Sequence, residues 1–294
     1  MTSLRNIKIT IAYDGTDYVG WQVQPNGPTI QAALEKALLK LTGETRRIMG
    51  SGRTDSGVHA VGQVAAFQTE SSIPARKFQR GLQTFLPDDI QIRSSCEVHE
   101  QFHATHWAIR KHYRYLICNS KQMSPFWRRY VHQFHGELDF QRMHEASQYL
   151  LGQHDFRCFE SQYPNRATSI RTIESATVTS HAGWNAWDAD PNVAENSSGD
   201  FLWFDVEADG FLYNMVRAIV GTLIKIGRGY WPPEMMKTII DQQDRSIAGE
   251  TAPPQGLYLM RVDYRSEPDA SDSAPTGHIK GDVPEQNSTD GVGS

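Results

Sequence analysis

The chain has 294 residues, 39% of them hydrophobic and 21% charged, a composition typical of a water-soluble globular protein. The length allows one large domain or two domains of ordinary size. No run approaches the roughly 18 apolar residues that a membrane-spanning helix needs, so we expect no membrane partner. The first residues enter an alternating pattern without a secretory signal, and the three cysteines lack CxxC spacing (Cys96, Cys118 and Cys158). We therefore expect a reducing, cytoplasmic setting with neither a disulfide framework nor a cysteine zinc site.

Charge is distributed unevenly along the chain. The formal net charge is −5 at pH 7, from 29 basic and 34 acidic residues. Residues 266–294 hold six of the acids and one of the bases, so the first 265 residues carry 28 of each. Residues 181–201 contain four further acids and no Lys or Arg, which leaves about +4 for the remaining body. A mildly basic body is compatible with a nucleic acid partner without being diagnostic of one.

The first hundred residues predict an alternation of strands and helices. Ile7, Ile9 and Ile11 alternate with other residues and predict a strand at about 6–13. The segment TIQAALEKALLKLTG predicts an amphipathic helix that Thr29 caps and Gly43 ends. After a glycine-rich loop, QVAAFQ and IQIRSSCEV predict strands. The segment between them, IPARKFQRGLQTFLP, predicts a second helix.

A second half begins near residue 106 and shows the same alternation, without an exact sequence repeat. Four segments predict strands, namely RKHYRYLICN, SIRTIESATVTS, DFLWFDVEADG and GLYLMRVDYR. DFQRMHEASQYLLGQHDF predicts a helix that runs into a loop, and FLYNMVRAIVGTLIKIGRG predicts a long helix that is apolar nearly all round. The polar stretch 181–201 predicts a surface hairpin insertion, and the composition of 266–294 predicts a disordered acidic tail.

One carboxylate, Asp55, lies in the glycine-rich stretch GSGRTDSGVHAVGQV, residues 50–64. The loop alone favours an aspartate that forms an Asx-turn or caps a helix. A phosphate-cradling loop is a second interpretation, although neither GxxxxGK(S/T) nor a GxGxxG between strand and helix is present. The third is a catalytic carboxylate that acts as nucleophile or base. It requires a group that keeps the aspartate ionised in a site that excludes water.

Arg217 is a candidate for that group. It lies in the apolar helix among Met215, Val216 and Ile219. A guanidinium there is costly to bury without a partner, so it either extends to solvent or meets an anion. A buried ion pair would lower the pKa of the Asp55 carboxyl, fix its orientation and join the two halves across a cleft.

The segment RKHYRY, residues 110–115, interleaves bases with aromatic rings. In a strand, one face carries Lys111, Tyr113 and Tyr115, and the other carries Arg110, His112 and Arg114. This pattern suits single-stranded nucleic acid, because cations meet phosphates and a splayed base stacks on a ring. The alternative is a half-buried strand whose tyrosines lie in the core and whose charges are solvated.

Metal-dependent and paired-carboxylate chemistry have no support in the pattern. Four histidines are considered as metal ligands, namely His59, His103, His106 and His112. No HExxH or other ligand spacing connects them. We expect satisfied or surface histidines, with His59 supporting the loop, and no metal. The Asp55 loop offers a single acid, so a glycosidase-type carboxylate pair is not indicated.

Taken together and in order, these segments resemble the tRNA pseudouridine synthase A family over about residues 7–264. The resemblance includes AYDGTDYVGWQVQPNGPTIQAALEKAL, GSGRTDSGVHAVGQVAAF and FHA followed by KHYRY. It continues through LLGQHDFRCF and RTI to GFLYNMVRAIVGTL and DRSIAGETAPPQGLYL. Each motif alone is modest, but the ordered set is specific to that family.

The resemblance implies isomerisation of uridine to pseudouridine at positions 38, 39 and 40 in the anticodon stem-loop of tRNA, with base flipping and without cofactor or metal. The family's catalytic aspartate falls on Asp55, its active-site tyrosine on Tyr113 and its basic partner on Arg217. Arg53 resembles the residue that helps to hold the uridine flipped out. We expect substrate contacts from Arg53, Lys111, Tyr113 and Arg114.

The resemblance also implies an architecture and an assembly. We expect an α+β fold of two α/β subdomains, residues 1–105 and 106–265, with mixed, mainly antiparallel sheets flanked by helices. The catalytic cleft would lie between them, and residues 266–294 would follow as the tail. The family is typically a homodimer in which each tRNA touches both subunits.

One departure from the family pattern is visible after FHA. Family members usually have an arginine next and a serine two residues later, where this chain has Thr105 and Trp107. The spacing to Tyr113 is kept, so we expect the departure to affect an RNA or packing contact rather than the chemistry. Two other classes of function remain open from the residues themselves: a non-catalytic RNA-binding module and a metal-dependent phosphohydrolase that uses the glycine loop.

Overall fold

Ten strands in the described part of the chain form one mixed sheet, flanked by five α-helices. The structure is a computed structural model that describes residues 4–121, 123–161, 168–181 and 201–265. The predicted tail, 266–294, and nearly all of the predicted insertion, 182–200, lie outside the described residues. The helices of this part of the chain include none that is long and apolar enough to cross a membrane.

The strands of the first half are β1 (Arg5–Tyr13), β2 (Met49–Gly50), β3 (His59–Thr69) and β4 (Ile90–Val98). The second half contributes β5 (Ala108–Cys118), β6 (His132–Gln133), β7 (Gly152–Asp155), β8 (Ile170–His181), β9 (Phe201–Ala208) and β10 (Leu257–Tyr264). The helices are α1 (Ile30–Thr42), α2 (Phe78–Gln83), α3 (Phe140–Gln148), α4 (Met215–Gly227) and α5 (Met235–Gln242). The main path of the sheet is β4-β1-β3-β10-β5-β9-β8-β7, with β2 on β3 and β6 on β5.

The last strand, β10, connects the two halves. It pairs in parallel with the start of β3, where Tyr258 faces His59, and antiparallel with β5, where Leu259 faces Tyr113. The sheet is therefore continuous across both halves and mainly antiparallel, which confirms the predicted α+β class. The division of the chain at residue 105 stays a prediction. This order also brings the loop that precedes β3 close to the middle of β5.

Several elements form for the reasons that their patterns indicated. In β1 the side chains of Ile7, Ile9 and Ile11 are fully buried on the helix side of the sheet. The hydroxyl of Thr29 accepts a hydrogen bond from the Ala32 amide at the start of α1. Gly43 ends α1 at φ 77°, the left-handed conformation that glycine adopts without steric penalty.

Other elements differ from the prediction. The second helix is α2 with a 3₁₀ turn before it, Ala75–Lys77, and is shorter than its pattern indicated. Gly81 weakens the helix locally, but a Cβ there would lie 2.8 Å from the Leu41 side chain, so the glycine lets α2 approach α1. Residues 152–155, which we predicted as loop, form β7 at the edge of the sheet. Helix α5 was not predicted.

Candidate active site

A cavity of about 760 Å³ lies between the two halves, on the side of the sheet that the helices cover. The loop before β3, strand β5 and the segment leading into α4 supply its walls. Its lining includes Trp21, Met49, Arg53, Asp55, Lys111, Tyr113, Phe211, Asn214 and Leu257. Four of the predicted site residues therefore meet at one cavity although up to 60 residues separate them in sequence, namely Arg53, Asp55, Lys111 and Tyr113.

The backbone around Asp55 forms a tight turn. The Val58 amide donates to the Asp55 carbonyl at 3.1 Å, and Gly57 adopts φ 75°. On the other side, Gly20 adopts φ 109°, and a Cβ at Gly20 would lie 2.7 Å from the Thr54 carbonyl oxygen. The glycines thus let two backbone segments approach closely and present the Asp55 side chain to the cavity.

The Asp55 carboxylate is not a turn-forming group. Among the described residues, no hydrogen bond reaches its oxygens, and the backbone carbonyl closes the turn instead. The side chain is 15% exposed. A carboxylate that is mostly buried but accepts no backbone hydrogen bond argues against the Asx-turn interpretation, and it leaves both oxygens available to a bound molecule.

Arg217 meets Asp55 from α4, as we predicted. Its Nη1 lies 3.8 Å from Asp55 Oδ2, and the Arg217 side chain is 16% exposed. Two further contacts hold the guanidinium: Nε donates to the Ala252 carbonyl at 2.7 Å, and Nη1 donates to Asn214 Oδ1 at 2.8 Å. The guanidinium is therefore fixed in place independently of Asp55.

The charge of Arg217 lowers the pKa of Asp55, as we predicted for the ion pair, but the net shift of that pKa is upward. Burial raises the pKa of Asp55 to about 6, and the charge of Arg217 opposes this rise only in part. The physical reason is the geometry of the pair. At 3.8 Å the guanidinium supplies charge but no hydrogen bond of normal length, so desolvation of the carboxylate dominates.

A close backbone approach and a left-handed residue position the arginine. Gly221 lies in α4, where a Cβ would be 1.7 Å from the Glu250 carbonyl oxygen, so only glycine lets the segment 249–252 lie against the helix. That segment presents the Ala252 carbonyl to Arg217. At the start of α4, Asn214 adopts φ 61°, a left-handed conformation that asparagine tolerates better than most residues.

Tyr113 lies on β5 with its side chain on the helix side of the sheet. It is 8% exposed and packs edge-on against Phe211, with ring centroids 5.0 Å apart. Lys111, two residues earlier, lies on the same face and is buried, and its Nζ donates to the Ser51 carbonyl at 2.8 Å. Arg53 is exposed and lines the same cavity. The structure thus groups Arg53, Lys111 and Tyr113 around Asp55.

Arg114 lies apart from this group, on the opposite face of the sheet. It is 1% exposed, its Nε donates to Asp205 at 2.9 Å, and its guanidinium stacks 4.3 Å from the centre of the Trp203 ring. His112 binds the same carboxylate through Nε2. The side-chain alternation that places Tyr113 at the cavity places Arg114 away from it, so its expected contact with substrate has no support in this position.

The histidines serve packing and loop support. His59 stacks on Tyr258 with centroids 4.7 Å apart, and its Nε2 lies 3.0 Å from the Arg129 carbonyl. The Gly15 amide donates to its Nδ1 at 3.1 Å, so His59 fastens the segment after Asp55 to two neighbouring loops. No group of three or more metal-ligating side chains occurs among the described residues.

The departure after FHA is a packing feature. Thr105 Oγ1 donates to the Gly50 carbonyl at 2.8 Å, and Trp107 packs edge-on against Phe102 at 5.6 Å. Sequence reasoning missed Asn214 and Phe211, which position Arg217 and Tyr113. The one signal for Asn214 in the sequence was its place directly before an apolar helix, a position that asparagine favours, although its side chain here makes no capping hydrogen bond.

Comparison with known proteins identifies the family of this chain. The family model described as tRNA pseudouridine synthase matches residues 9–106 and 146–265. The chain is 46% identical over 261 residues to tRNA pseudouridine synthase A 2 of Clostridium perfringens (strain 13 / Type A), covering 89% of this chain and 100% of that protein. It is 44% identical to tRNA pseudouridine synthase A of Acetivibrio thermocellus and 41% identical to that of Thermoanaerobacter sp. (strain X514), with the same coverage. The chain belongs to the tRNA pseudouridine synthase A family, whose members isomerise uridine to pseudouridine in tRNA.

Proposed function

We propose that this protein converts uridine to pseudouridine at positions 38, 39 and 40 in the anticodon stem-loop of tRNA, with Asp55 as the key catalytic residue. It acts without cofactor or metal, as a cytoplasmic homodimer. The observation that carries the catalytic assignment is the Asp55 carboxylate, which is 15% exposed, lies at a cavity wall and faces a guanidinium that other groups hold in place.

The reaction breaks the glycosidic bond from N1 of uracil to C1′ of ribose and forms a bond from C5 to C1′. Uracil must detach, rotate and rejoin without leaving the site, which calls for an enclosed cavity. The volume of about 760 Å³ lies within the range of roughly 300–1,000 Å³ that is usual for ligand pockets. A base within a stem must also leave the stack before it can enter.

Asp55 supplies the negative charge that this chemistry needs at C1′ or at the base. Because no backbone amide of the described residues binds its oxygens, the ionised carboxylate keeps its nucleophilicity and its basicity. Arg217 stabilises the ionised form without a normal hydrogen bond to it. Ionisation at a pKa of about 6 leaves Asp55 mostly charged at neutral pH.

Tyr113 and Arg53 complete the site. The Tyr113 ring, held edge-on by Phe211, offers a face on which uracil stacks. Once the C5–C1′ bond has formed, C5 loses its proton and N1 gains one, and the Tyr113 hydroxyl relays this proton. Arg53 is exposed at the mouth of the cavity and stabilises the extruded nucleotide. Lys111 contacts the backbone of the RNA. Arg114 has no role in this scheme.

The test is incubation of an unmodified tRNA transcript with the purified protein in EDTA, followed by chemical mapping of pseudouridine. We expect product at positions 38–40, and none at a position where uridine is replaced by cytidine. Asp55→Asn and Asp55→Ala should bind tRNA but form no product. Normal yield from Asp55→Ala would refute the catalytic assignment, and binding without turnover by the unaltered protein would refute the enzymatic function. Sedimentation of the protein with and without tRNA tests the homodimer.

A further inference from the structure

A second cavity of about 470 Å³ adjoins the Asp55 cavity. The two cavities share Thr105 and Lys111 as lining residues. The far wall of the second cavity is formed by Thr168 just before β8, by Arg171 at the start of β8 and by Gly210 after the end of β9. Gly210 also directly precedes Phe211, which supports Tyr113, so the two spaces are parts of one groove.

Cations are held rigidly along this groove. Lys111 stands at the shared wall, is 9% exposed, and is tethered through Nζ to the Ser51 carbonyl at 2.8 Å. Arg171 is 8% exposed, and its Nη1 donates to the Thr168 carbonyl at 3.0 Å. Both hydrogen bonds go to backbone carbonyls, and they fix the orientation of the two side chains.

The acidic group at the second cavity is engaged elsewhere. Asp209 accepts a hydrogen bond from the Thr172 amide through Oδ1 at 3.1 Å, which turns it towards the β8 backbone. The charged residues that line the second cavity are Lys111, Arg171 and Asp209, which together carry a net positive charge. A polyanionic strand that enters the Asp55 cavity therefore finds a favourable path in this direction.

We infer that the second cavity holds the nucleotide next to the target uridine, with the phosphate between the two nucleotides facing Lys111 and Arg171. This inference rests on the proposed function, because a flipped uridine remains joined to its neighbours through phosphates. Gly210 suits the role, since a wall without a side chain lets a sugar or a base lie against the backbone.

The first test varies charge at Thr168, which is exposed at the wall of the second cavity. Thr168→Glu, Thr168→Gln and Thr168→Lys all remove the hydroxyl that binds the Ile170 amide, so they differ from one another mainly in charge. With unmodified tRNA, we expect KM to rise about three- to tenfold in the Glu variant relative to the Gln variant and to fall in the Lys variant. The kcat should stay unchanged, because Asp55 and Tyr113 are untouched.

The second test varies volume at Gly210. A Cβ there would lie 3.5 Å from Arg171 Nε, an ordinary contact, so Gly210→Ala should fold, and its single methyl group takes up little of the cavity. Gly210→Leu fills the second cavity and should raise KM for tRNA at least tenfold. Thermal unfolding identifies any variant that fails to fold, and the Thr168 variants then carry the test alone.

The outcomes separate the inference from the function on which it rests. The inference is overturned if the three Thr168 variants have equal KM values and a folded Gly210→Leu has a normal KM. Product formation by the same proteins would still support the proposed function. If the unaltered protein forms no pseudouridine, the proposed function fails. The dissociation constants of the same variants for tRNA then decide whether the second cavity binds an RNA phosphate, since the charge order Lys, Gln, Glu is expected in affinity as well.

Discussion

Replacement of Asp55 by asparagine should abolish activity and at the same time stabilise the protein. The folded state raises the pKa of Asp55 from an ordinary 3.8 to about 6 because burial penalises the charged carboxylate more than Arg217 compensates. The folded protein therefore binds this proton more tightly than the unfolded chain. The associated stability is fully present below pH 3.8 and is lost as the pH rises through 6.

The magnitude follows from the size of the shift. A difference of about two pKa units corresponds to about 3 kcal/mol in the free energy of unfolding once both states are ionised. The asparagine side chain stays neutral and avoids this penalty. Linkage then predicts that the free energy of unfolding of Asp55→Asn is larger than that of the unaltered protein by about 1 kcal/mol at pH 4.5 and by about 3 kcal/mol at pH 8. The second value already includes the attraction between Asp55 and Arg217, because that attraction lowers the pKa of Asp55 against the effect of burial.

Urea unfolding at both pH values measures the difference. The control is Asp241→Asn on the surface of α5, which removes an exposed salt bridge to Lys237 and should change stability by less than about 1 kcal/mol. In the unaltered enzyme, kcat/KM should rise with pH through about 6 as Asp55 ionises. The reasoning would be refuted if the gain in stability of Asp55→Asn over the unaltered protein were smaller at pH 8 than at pH 4.5.

Three further substitutions test the geometry. Arg217→Ala should lower the free energy of unfolding by about 3 kcal/mol or more, because Asp55 loses its cation. For the same reason it should move the midpoint of the pH–rate profile above 6. A stable variant with an unchanged profile would contradict the ion pair. Arg114→Met should destabilise the fold by about 3–5 kcal/mol by leaving Asp205 short of a partner. The folded fraction should bind tRNA normally, and a selective loss of RNA affinity would restore Arg114 as a substrate contact. Gly20→Ala should lower both kcat and the melting temperature, because its Cβ would press on the Thr54 carbonyl at 2.7 Å; normal values would show that the turn relaxes freely.

Local patterns determined most of the secondary structure. Burial on one face imposed a period of two on β1 and a helical period on α1, and both signals are strong in the sequence. The short strands β2 and β6 have two residues each, too few to show an alternation. Strand β7 forms because it pairs with β8, and its own residues show no strand pattern, so it could not be predicted from the segment alone.

The candidate site, too, was predicted from the sequence only in part. The alternation of side chains in RKHYRY predicted that Tyr113 and Arg114 lie on opposite faces of β5, as they do in the structure. It did not indicate which face carries the cavity, because that depends on which side of the sheet the helices cover. The direction of the Asp55 pKa also required the structure, since it depends on a distance of 3.8 Å and on the other groups that share the Arg217 guanidinium.

By itself the sequence determined the strand and helix patterns, the glycine-rich turn that carries Asp55 and the ordered motifs that mark the family. Each of these is encoded in residues near one another in the chain. Only the tertiary structure decided that β10 lies between β3 and β5, that Asn214 and Ala252 hold Arg217 beside Asp55, and that a second cavity continues past Lys111. Those features depend on desolvation and on contacts between residues far apart in sequence, and such contacts arise when the chain packs.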